Sequence, residues 1–78
     1  MKFQRGKSCS CIDRNANVSG CARMIQHNNK YIQIRFIDIR PNSANHWMSG
    51  DYLWTLPRNL HLVPKIYRPL CNIYKFGD

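Results

Sequence analysis

The 78 residues are enough for one small domain and exclude two. Apolar residues at 44% and aromatics at 12% argue against a disordered chain. Twelve Lys and Arg against four Asp, with no Glu, leave a net charge of +8, which attracts polyanions (nucleic acid, an anionic membrane surface or an acidic protein) unless it serves only to keep a small protein soluble.

Residues 1–8 read as a basic N-terminal arm that Phe3 can anchor, and residues 9–78 as the single domain. Residues 9–20 (CSCIDRNANVSG) are rich in Ser, Asn, Asp and Gly and are expected to form a loop or turn. Residues 21–26 suit a first strand, and His27-Asn28-Asn29-Lys30 suits a hairpin turn, because Asn tolerates positive φ. Tyr31–Arg40 carries the clearest pattern. Ile32, Ile34 and Phe36 alternate with Gln33 and Arg35, the period of a half-buried strand. The phase then slips at Ile37, and a β-bulge between Phe36 and Asp38, or burial on both faces, accounts for it. This segment is expected to be the longest or most central strand.

Residues 41–51 read as a loop, 52–56 as a strand with Tyr52, Trp54 and Leu56 on one face, 57–59 as a turn and 60–63 as a short strand. Residues 65–76 contain Pro69 and suit an edge strand or an irregular tail. The expected fold is mainly β: a four- to five-stranded bent sheet or open barrel, by analogy with SH3-like or OB-like barrels. It leaves room for one short helix, within residues 10–26.

Cys9, Cys11 and Cys21 lie close together in sequence, with His27 after them. Thiolate and imidazole are ligands of structural zinc, so these four residues are the candidate metal site, with Cys71 as an alternative fourth ligand. The gap of one residue between Cys9 and Cys11 departs from the usual zinc spacing, and buried reduced thiols are the competing reading. The alternatives for cofactors are therefore none or one zinc. His46 and His61 are the candidates for acid and base if the chain is a small basic ribonuclease. Trp47 is read as a cap on a small core rather than as an exposed anchor.

The basic residues carry the better functional pattern. Eight of the twelve fall in residues 1–40. Lys30, Tyr31, Arg35 and Arg40 lie on or beside one strand, and Arg5 and Lys7 lie in the arm. Aromatic rings stack bases while Arg and Lys hold phosphate, so these six residues are the expected nucleic-acid surface. The leading function is a non-enzymatic module for RNA or single-stranded DNA. The alternative is an accessory or inhibitor protein that binds another protein, and the third reading is the ribonuclease. No membrane partner is expected. Residues 1–10 lack the apolar run of a signal peptide, which points to an intracellular protein, cytoplasmic or nuclear.

Overall fold

The computed structural model describes residues 1–63. The expectations for residues 65–76, Cys71 included, lie outside the described residues. Five strands form one antiparallel sheet: β1 (Ser8–Asp13), β2 (Val18–His27), β3 (Ile32–Ile39), β4 (Tyr52–Thr55) and β5 (Leu60–Leu62). Their spatial order is β4-β3-β2-β1-β5. A 3-10 turn at Pro57–Asn59 joins β4 to β5 and is the one helical element among the described residues. None of the described helical structure is long and apolar enough to cross a membrane.

The inner face packs Cys9, Cys11, Val18, Ala22, Met24, Ile32, Ile34, Phe36 and Leu60 into one core. In a flat sheet β4 and β1 would stand about 14 Å apart, three strand spacings. The Thr55 hydroxyl on β4 nevertheless donates to Asp13 on β1 at 2.9 Å, so the sheet is strongly bent around this core. Two bulges contribute to the bend. Ala22 pairs with Phe36 and Cys21 with Asp38, which leaves Ile37 as the extra residue on β3. Met24 pairs with Ile34 and Gln26 with Gln33, which leaves Ile25 as the extra residue on β2. A bulge bends its strand and sharpens the local twist. The phase slip in Tyr31–Arg40 is therefore a bulge, at the position the alternation indicates.

Three expectations change. Residues 9–20 are not one loop: β1 and the start of β2 occupy most of them, with a turn between Asp13 and Val18 and Asn17 at φ 54°. For the same reason no helix forms in residues 10–26. The longest strand is β2, not β3, and β2 also stands at the centre of the sheet. Its first half, Val18 to Ala22, is buried residue after residue, so it shows no alternation to read.

Loops tie down at named atoms. Asn28 Oδ1 accepts from the backbone N–H groups of Lys30 (2.9 Å) and Tyr31 (2.7 Å), closing the β2–β3 hairpin. Trp47 packs on the core, edge-on to Phe36 at 5.9 Å, and its Nε1 donates to the Ala16 carbonyl at 3.0 Å. The N-terminal segment lies against β2: Phe3 stacks on His27 at 4.6 Å, and Gly6 N donates to Met24 O at 2.8 Å.

Candidate nucleic-acid interface

Alternation places Gln33, Arg35 and Ile37 on the face of β3 opposite the core, with Tyr31 just before the strand. Antiparallel pairing then extends that face sideways. Arg35 stands opposite Arg23 on β2 and Tyr52 on β4, so Arg23, Arg35 and Tyr52 form one row across three strands. Gln33 stands opposite Gln26 and Trp54, forming the next row. Within it Gln26 Nε2 donates to Gln33 Oε1 at 2.8 Å. Tyr52 and Trp54 are 53% and 41% exposed, so both rings are available to a partner.

Arg35 is held in place. Its guanidinium lies 5.4 Å from the Tyr52 ring centroid, and its Nε donates to the Gly50 carbonyl at 3.1 Å. That carbonyl is positioned by the backbone. Gly50 N donates to Phe36 O at 2.7 Å and Phe36 N to Asp51 O at 2.9 Å, which fastens the loop end to β3. Gly50 has φ +92°, a conformation that side chains resist. The Asp51 carboxylate accepts from Met48 N at 2.9 Å. Among the described residues neither Arg23 nor Arg35 is ion-paired. Two positive groups thus share one face with two exposed rings.

Of the six expected binding residues, Lys30, Tyr31 and Arg35 lie on or beside this face. The Lys30 ammonium sits 5.4 Å from the Tyr31 ring centroid at the hairpin end. Arg5 and Lys7 are exposed in the N-terminal segment, where the Lys7 carbonyl accepts from Met24 N at 3.1 Å. Arg40 lies elsewhere. It follows β3, donates its backbone N–H to Ser19 O at 2.8 Å, and lines a polar hollow with Arg14 and Asn42. The sequence reading missed Arg23, Tyr52 and Trp54. Alternation puts Tyr52 and Trp54 on one face of β4, but only the β3–β4 register brings that face beside Arg35.

The candidate zinc ligands do not converge. Cys9 and Cys11 point into the core, whereas Cys21 pairs with Ser10 and so occupies the opposite face, in a small cluster with Val63. Cys21 is disulfide-bonded, and His27 stacks on Phe3 at the far end of β2. No three His, Cys, Asp or Glu side chains among the described residues could share a metal. Burial pushes the thiols of Cys9 and Cys11 up to about 12, and nearby Cys9 and Asp13 add to the rise at Cys11. Such thiols stay protonated at neutral pH and are poor ligands and nucleophiles. His46 leans on the Trp47 ring in the β3–β4 loop, and His61 is exposed on β5. Among the described residues neither ring has a hydrogen-bonded partner that would orient it as acid or base.

The chain matches no protein-family model, no curated protein and no solved structure at a significant level.

Proposed function

We propose that the protein is a non-enzymatic binding module for single-stranded nucleic acid, RNA or DNA, which it holds on the outer face of β2, β3 and β4. The observation that carries this reading is the cross-strand row of Arg23, Arg35 and Tyr52 with Trp54 beside it. Tyr52 and Trp54 are two residues apart on one strand, so their Cα atoms are separated by about 6.8 Å. Successive unstacked bases can each meet a ring, while guanidinium groups beside them meet phosphate. Single strands suit the face better than duplex does, because stacking on a side chain needs a base with a free face. Charge supports the same reading, since the chain carries +8 and both central arginines lack an acidic partner among the described residues.

A protein partner is the second reading, favoured by the exposed Ile37 and Met48 at 44% and 68%. Tryptophan fluorescence separates the two. Trp47 is packed on the core and Trp54 is on the proposed surface. Titration with an oligouridine RNA is expected to quench the wild type and the Trp47→Phe variant. The Trp54→Phe variant is expected to lose most of the quench. Quenching absent from the wild type favours the protein partner instead.

A further inference from the structure

Beside the Arg23–Arg35–Tyr52 row lies a groove of about 530 Å³, lined by Arg23, Ile25, Arg35, Phe36, Ile37 and Gly50. Both bulge residues, Ile25 and Ile37, contribute to it. Its lining is therefore mixed: the aliphatic Ile25 and Ile37, the Ser49 side of the loop, and two guanidinium groups without acidic partners among the described residues, while Phe36 turns its ring into the core. A phosphate would engage the guanidinium groups but leave Ile25 and Ile37 uncovered. A nucleobase meets both, having an apolar face and a polar edge.

The hydrogen bond that holds Arg35 narrows the choice of base. Its Nε is committed to the Gly50 carbonyl, which leaves the terminal nitrogens, Nη1 and Nη2, to recognise a ligand. These nitrogens only donate, so the matching edge must offer two adjacent acceptors. Guanine does so through O6 and N7. At the corresponding edge adenine and cytosine each place an amino donor, and uracil offers a single carbonyl. Cytosine has one other adjacent acceptor pair, O2 and N3, free in a single strand, but its single ring covers less of Ile25 and Ile37 than the two rings of guanine do. We infer that this groove is a guanine subsite, with the Arg35 guanidinium on the O6/N7 edge and Ile25 and Ile37 against the ring face. The inference rests on the nucleic-acid reading above and adds base selectivity to it.

The test compares fluorescence anisotropy of labelled oligouridines, all at one salt concentration, that carry a single central guanine, 7-deazaguanine, adenine or cytosine, or uridine throughout. Guanine is expected to tighten binding roughly 5- to 140-fold over uridine, the range of a bidentate arginine–guanine pair. 7-Deazaguanine, which lacks the N7 acceptor, is expected to lose most of that gain, adenine to show none and cytosine less than guanine; a cytosine gain equal to that of guanine overturns the base assignment. Arg35→Met keeps an unbranched stem of similar length and removes every donor, so the guanine-to-uridine affinity ratio is expected to fall to about one. Binding of every oligonucleotide with equal affinity overturns the guanine subsite and leaves the nucleic-acid reading standing. Equal affinity for guanine and 7-deazaguanine, or an unchanged ratio in Arg35→Met, overturns the assigned contact. Binding of none overturns the nucleic-acid reading and the subsite with it.

Discussion

Asp13 and Thr55 show how much rests on single side chains in a domain this small. Thr55 Oγ1 donates to Asp13 Oδ2 at 2.9 Å and accepts from Asn59 Nδ2 at 3.0 Å, and Asp13 Oδ1 accepts from Ala16 N at 2.9 Å. The group links β1, β4 and the 3-10 turn. Thr55→Val removes a bond to a charged acceptor and should cost about 1.5–3 kcal/mol, measured as a lowered urea midpoint. Cys9 and Cys11 lend themselves to a second measurement. Both are fully buried, so iodoacetamide followed by peptide mapping should leave them unlabelled in the native protein and label them in denaturant. Their pH dependence has a definite sign. The folded state holds these protons to about 12, while the unfolded chain releases them near 9. Stability from this source is complete below about pH 9 and is lost as pH rises toward 12. Wild type should therefore lose more stability between about pH 8 and about pH 10 than a Cys9→Ala/Cys11→Ala variant does. The three clustered cysteines illustrate a limit of sequence proximity. Cys9 and Cys11 share a strand face, but Cys21 lies across from Ser10 and faces the other way.

At the scale of elements, legibility followed alternation. The β2–β3 hairpin, β4, β5 and the bulge in β3 can be read from apolar spacing and from Asn, Gly and Pro signals. β1 and the first half of β2 cannot, because small residues (Ser, Gly, Cys and Ala) fill both faces of buried strands and look like loop. Gly20 shows why a small residue is needed there. A Cβ at this position would collide with the Asp38 backbone carbonyl, where the β3 bulge brings the strands close. Gly20→Ala must displace backbone rather than a side chain. It should cost at least the 1–3 kcal/mol, roughly, of ordinary overpacking, detectable by thermal or urea unfolding. Half of the proposed binding face was legible for the same reason. Tyr31 and Arg35 announce themselves on the clearest strand, with Lys30 in the turn before it. The contributions of Arg23, Tyr52 and Trp54 depend on register between strands, which local pattern does not carry.

For the whole molecule the central claim is that a bent sheet with a small core presents cations and rings together on its outer face. Charge and stacking are separable in solution. Phosphate contacts release condensed counterions and make affinity fall with salt, whereas stacking is nearly independent of salt. The most direct test is a salt titration of binding to a labelled single-stranded RNA for wild type, Arg23→Ala, Lys30→Ala and Trp54→Ala. The predicted result is a linear fall of log K with log[salt]. The Arg23 and Lys30 variants should each flatten the slope by about 0.7, the single-strand value for one phosphate contact. Trp54→Ala should keep the slope and lose about 1–3 kcal/mol at every salt concentration. Absence of binding by the wild type at low salt, or wild-type slopes and affinities in all three variants, would contradict the account.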